Sequence, residues 1–128
     1  MSKSKDDENM MTENKMIWEE NYYDRDRVYD LVTELIKEKK CFGELGFGQN
    51  MQVDLSRIAV RYTDAEKVDK GVKLTFTILE SPEGLILQSL IDGKVKMRPS
   101  VRGIGAIEDG KVDLQKLIAM DIVRLELE

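Results

Sequence analysis

The residues of this chain with chemical potential lie in three short stretches. Ser100 stands in RPSVRG, two positions before Arg102. Residues 41–50 read CFGELGFGQN, a glycine-rich segment with Phe47 at its centre. Asp121 belongs to the closing MDIVRLEL. A serine hydroxyl becomes a nucleophile at neutral pH only beside a base that takes its proton. The chain contains no histidine, which removes the His-dependent triad, His-assisted zinc binding and general base catalysis by imidazole. A lysine base can still be drawn, because Lys94 and Lys96 precede Ser100 closely. It would need a pKa lowered by burial, and KVK beside Arg98 reads as exposed. The plainer reading of Ser100 is a turn serine after Pro99, bonded to its own backbone.

The spacing of Gly43, Gly46 and Gly48 is G-x-x-G-x-G. Phosphate cradles of this type place their amides at a helix N-terminus. Here no strand is expected to lead in and no helix to lead out, so a turn is the better account. A nucleotide- or phosphate-binding module remains the weaker reading of the loop. Phe47 reads as a core ring. With a single cysteine, Cys41, neither an internal disulfide nor a closed structural zinc site can form, and an intracellular compartment is expected. The 25 acids show no magnesium-ligand pattern, and no metal or other cofactor is expected.

These residues must be positioned by the elements between them. Residues 1–12 are polar, charged and aperiodic, and are expected to form a disordered arm ahead of one domain over 13–128. Val28, Leu31, Val32, Leu35 and Ile36 recur at helical spacing within 25–40. Ile58, Val60 and Tyr62 alternate along one strand, and Val72, Leu74, Phe76 and Ile78 along a second, so the two predict an antiparallel pair. Ser81-Pro82 marks a helix start, and Gly93 a C-cap. Residues 94–107 read as extended, DLQKL as a short helical turn, and 118–128 as a closing strand. The fold class expected is α+β: a small, curled, mostly antiparallel sheet or barrel with two or three helices.

Charged residues make up 35% of the chain and the net charge is −5, so no sequence-independent grip on nucleic acid is expected. The local cluster Lys94, Lys96, Arg98 and Arg102 reads as the solvated face of a strand. No apolar run approaches a membrane span, and the N-terminus lacks a signal-peptide core, so neither a membrane association nor export is expected.

Taken in order, the stretches NYYDRDRVYDLVTELI, GELGF, VDLSRIAVR, ILESPEGLILQSLIDGKVKM, PSVRGIG and MDIVRLEL resemble the prohead (head-maturation) serine proteases of tailed bacteriophages, particularly the T4-like group. That family carries an N-x-N-G-R-x-Y lead-in, GELGHP, VDLSRISH, IL-x-TP-x-G, GISSRGLG and a closing FDLV. The resemblance spans about residues 14 to 127, with similar gaps. It implies a fold related to the herpesvirus assembly protease, and a family chemistry of serine nucleophile and histidine base acting on scaffold and capsid proteins.

The family's histidine positions are apolar here. GELGHP becomes GELGFG at Phe47, and the SH of VDLSRISH becomes Ala59-Val60. Ser100 and Arg102 match GISSRG, Val101 replaces its second serine, and Asp121 matches the aspartate of FDLV. Phe47, Val60, Val101, Arg102 and Asp121 therefore read as a vestigial site, with Ser100 as its candidate or vestigial nucleophile. The resemblance implies an inert prohead-protease-like protein that binds a capsid or scaffold component or a host protein, in the cytoplasm of an infected cell or in the prohead. The alternative is an active serine protease using Ser100 with a non-histidine base. The family's tendency to dimerise makes a homo-oligomer reasonable.

Overall fold

The computed structural model describes residues 14–125; the arm expected over 1–12 lies outside them. In chain order the elements are β1 (Lys15–Trp18), α1 (Arg25–Lys37), β2 (Phe42–Glu44), β3 (Ile58–Lys67), β4 (Val72–Ile78), α2 (Pro82–Asp92), β5 (Met97–Glu108) and β6 (Lys111–Arg124). Four strands form one sheet in the order β1-β4-β3-β2, and β5 and β6 form a separate two-stranded ribbon. Every ladder is antiparallel. Isolated parallel bridges, Leu45 to Ile122 and Tyr23 to Val112, tie the ribbon to the rest. The expected α+β class holds, with two helices among the described residues and no closed barrel. None of these helices is long and apolar enough to cross a membrane.

The elements follow from side-chain spacing. On α1 the expected apolar stripe faces inward, with Val28 and Val32 buried and Leu31, Leu35 and Ile36 packed at its margins. The helix stops at Lys37, short of residue 40, because Lys39 takes a left-handed φ of 60° and turns the chain into β2. Alternation places Val60 and Tyr62 of β3 beside Val72, Leu74 and Phe76 of β4 in the core. The Tyr62 and Phe76 rings meet edge-on at 5.9 Å. Tyr62 also donates its hydroxyl to the Met120 carbonyl at 2.7 Å, a buried bond between sheet and ribbon. Ser81 caps α2 as expected, accepting from Gly84 N at 3.0 Å, and it donates to the Ile58 carbonyl at 2.6 Å.

Two stretches depart from expectation. DLQKL is part of β6 and not a helical turn. Its buried Leu114 and Leu117 are three residues apart, as on a helix, but a shift of register beside Gly105 rephases the strand between them. Gly103 and Gly105 allow that shift, since a Cβ on either would collide with the Lys116 or Asp113 carbonyl. The second departure is β1, a four-residue strand among polar neighbours that completes the sheet edge and buries Trp18.

Cys41 is fully buried, and burial pushes its thiol up to about 12. Because the folded value exceeds the ordinary 9.0, the thiol form contributes stability that is fully present below pH ~9 and is lost as pH rises towards the folded value. Native protein at pH 8 should therefore resist a thiol reagent such as Ellman's, and should react with one equivalent once unfolded in denaturant. Rapid modification of the native state would contradict a sealed core around Cys41.

Candidate functional site

The site is built where β2, the loop after it, and the β5–β6 ribbon meet. Ser100 of β5 lies opposite Asp121 of β6, and Arg102 follows two residues later on the same strand face. Arg102 reaches across to Asp121, with Nε–Oδ2 at 3.0 Å and Nη2–Oδ1 at 3.2 Å. Its Nη2 also lies 2.7 Å from Oε2 of Glu44, the last residue of β2. The remaining nitrogen, Nη1, donates to the Asn50 carbonyl at 2.7 Å. One guanidinium thus holds two buried carboxylates and a loop carbonyl, a use that the planar fork of arginine permits and lysine does not.

The carboxylates in turn organise the glycine loop. Asp121 accepts Gly48 N at 3.0 Å and Glu44 N at 3.3 Å. Glu44 accepts Asp54 N at 2.8 Å, and Arg57 stands 3.5 Å from its second oxygen. Gly46, at φ 88°, donates its N–H to the Ile122 carbonyl at 2.7 Å. A Cβ at position 48 would strike the Arg102 guanidinium, so glycine is needed there for the close approach. Burial raises the Asp121 carboxyl above its ordinary value, against the opposing pull of Gly48 N–H and Arg102. Burial also works against the Arg102 charge, but the Glu44 and Asp121 carboxylates outweigh it and hold its pKa above the ordinary value.

A second carboxylate centre lies beside Ser100. Glu20, on the link between β1 and α1, accepts Trp18 Nε1 at 2.7 Å and Val101 N at 3.0 Å on one oxygen. Its other oxygen accepts Ser100 Oγ at 3.0 Å and Tyr22 OH at 3.2 Å, with Arg98 Nη1 at 3.4 Å. A carboxylate offers about four acceptor sites, and five donors converge on this one. Glu20 thus orders the Ser100 hydroxyl as one of several donors on the same carboxylate.

The residues singled out in sequence are only partly gathered here. Arg102 and Asp121 are bonded to each other, and Val101 contributes its N–H to Glu20. Val60 lies in the core, one pair along from this cluster, opposite Gly43. Phe47 is not a core ring: it is 63% exposed. The bonds from Gly46 N and Gly48 N draw the backbone inward on both sides of it and leave the ring to point out. Ser100 is a buried strand serine bonded to Glu20, not a turn serine bonded to its own backbone. Lys94 and Lys96 are exposed, as KVK implied, and Ser100 meets a carboxylate in their place. The loop does have a strand leading in, β2, contrary to expectation. Two of its glycine amides are already engaged within the protein, which counts against a phosphate cradle.

Sequence reasoning missed Glu44 and Glu20. The one local signal for Glu44 is its place between glycines and apolar residues, where a solvated acid is out of character. Removing Arg102 should leave Glu44 and Asp121 buried without compensation. Arg102→Met is expected to cost about 3–5 kcal/mol at neutral pH, measured by denaturant unfolding, with Arg102→Lys intermediate. The Asp121 carboxyl already sits above its unfolded value, so its contribution is fully present below that unfolded value and lost as pH rises through the folded one. Loss of the arginine strengthens this trend, and the deficit of the Met variant should shrink as pH falls from 7 towards 4. A deficit independent of pH would place the effect in packing.

No protein-family model matches the chain, and no curated protein sequence does. Among solved structures, the bacteriophage T4 capsid assembly protease, gp21, is similar with a TM-score of 0.67 and 20% sequence identity, over 83% of this chain and 74% of that one. At that identity the likeness shows the fold: this chain has the α+β architecture of a phage capsid assembly protease.

Proposed function

We propose that this chain is a catalytically inert, prohead-protease-like protein that acts by binding another protein. The observation that carries the reading is the state of Ser100 in a chain without histidine. Its hydroxyl donates to a Glu20 carboxylate already saturated by other donors, and Arg102 is consumed by Glu44 and Asp121. Removing the base from a serine hydrolase leaves only residual catalysis from oxyanion donors and binding. The shared fold with a capsid assembly protease supports a capsid or scaffold component of a phage as the partner, with a host protein as the other class. The site of action would then be the cytoplasm of the infected cell or the prohead.

The competing reading is a working serine protease in which Ser100 uses a base other than histidine. Purified protein incubated with capsid and scaffold proteins should give no cleavage above background, and Ser100→Ala should not change that result. Phe47→His alone should leave it unchanged as well, since position 47 is exposed and the Ser100 hydroxyl is engaged by Glu20. Serine-dependent cleavage would overturn the inert reading. Ser100→Ala should cost about 1 kcal/mol of stability through the lost bond to Glu20, which separates a structural serine from a catalytic one.

A further inference from the structure

The four cations that the sequence places close together have different fates in the fold. Arg98 meets Glu20, and Arg102 meets Glu44 and Asp121. Lys94 and Lys96 have no carboxylate within ion-pair distance among the described residues. Arg124, paired across the ribbon with Met97, joins them. The three ring an open groove of about 580 Å³ between the end of α2 and the joined ends of β5 and β6. Leu90, Val95 and Leu125 form its apolar floor, and among the described residues no acid lines it. One helical turn before Leu90, Ile86 extends the apolar surface and is 49% exposed.

We infer that this groove docks an acidic segment of a protein partner, whose apolar side chains seat between α2 and the ribbon while its carboxylates meet Lys94, Lys96 and Arg124. The inference rests on the protein-binding reading above and gives it a surface. Charge selects the partner's chemistry: in a chain of net charge −5, a groove whose charged lining among the described residues is Lys94, Lys96 and Arg124 favours an acidic occupant. The floor selects its class. It is aliphatic and offers no ring on which bases could stack, as single-stranded nucleic acid requires. Lys94 also holds a φ of 67° directly after Gly93, so its charge sits where glycine would be unstrained.

The test uses the full chain and a fluorescein-labelled peptide of about twelve residues combining leucine and glutamate, read by fluorescence anisotropy. The wild type should bind it. Replacing the peptide's leucines by serine, or making Lys94→Glu with Lys96→Glu, should each weaken binding by about tenfold or more. Lys37→Glu with Lys40→Glu, at the far end of α1, should leave it within about twofold. Lys94→Gly should raise the Tm by relaxing the backbone while lowering affinity; a lysine with a structural role alone would leave affinity unmoved. Five results would overturn the proposal: no binding of the acidic peptide, equal binding of the serine peptide, equal loss from both lysine pairs, tighter binding of a labelled oligonucleotide, or binding only after removal of residues 126–128. Proteolysis by the wild type would defeat the inert reading and leave the groove standing, whereas a peptide that does not bind defeats the groove alone.

Discussion

Two carboxylates buried around one guanidinium are the constraint on which the arrangement of this site depends. Glu44 and Asp121 come from different layers, one from the four-stranded sheet and one from the ribbon. Taking either out of water unpaired would consume several kcal/mol of a net stability of only about 5–15 kcal/mol. Arg102 satisfies both at once, and its last donor closes on the Asn50 carbonyl. The glycine loop is therefore shaped from behind. Gly46 and Gly48 supply the conformational freedom and the close approach, while Asp121 and the Ile122 carbonyl supply the bonds. What looks in sequence like a loop for holding a ligand is a loop held by the protein's own charges.

The same logic governs Ser100. A hydroxyl can be near a carboxylate for two reasons: to be activated, or to help satisfy it. The distinction lies in the other partners. Around Glu20 the indole N–H of Trp18 and the Val101 amide are as close as Ser100 itself, and Tyr22 and Arg98 follow. The serine is one donor among five. The Arg102 cluster and the Glu20 cluster are thus two solutions to one problem, a buried acid at a seam between elements. Both use side chains that the family resemblance associates with a protease site.

How much of this could be read in advance follows from the range of each interaction. The helices and the β3–β4 pair were legible because their signals are local: apolar spacing on α1, the Ser81-Pro82 start of α2, alternation in β3 and β4. The ends were less so, since Lys39 stops α1 through a backbone angle that composition does not encode. Leu114 and Leu117 were misleading, because a register shift can imitate helical spacing. Arg102 and Asp121 were found through ordered motifs and not through any visible pairing. Glu44 and Glu20 were not found, since the partners that draw them into the site, Arg102 and Ser100, stand 58 and 80 residues away. The expectation for Phe47 failed for a related reason. Aromatic character argues for burial on average, but the two amide bonds beside this ring decide its direction, and both are long-range.

The cationic cluster over residues 94–102 shows what such long-range pairing does to the surface charge. As a sequence feature it is one basic strip. In the fold, strand alternation and the acids Glu20, Glu44 and Asp121 engage Arg98 and Arg102, while the turn after α2 leaves Lys94 and Lys96 outside. Arg124 is added to them by the ribbon's register and not by proximity in the chain. The outward charge is therefore set by which cations the core acids consume. An acid deleted from the core would release an arginine, and an acid added near the groove would cancel its field. The charge that this surface presents is in this sense the remainder left after the interior has been neutralised.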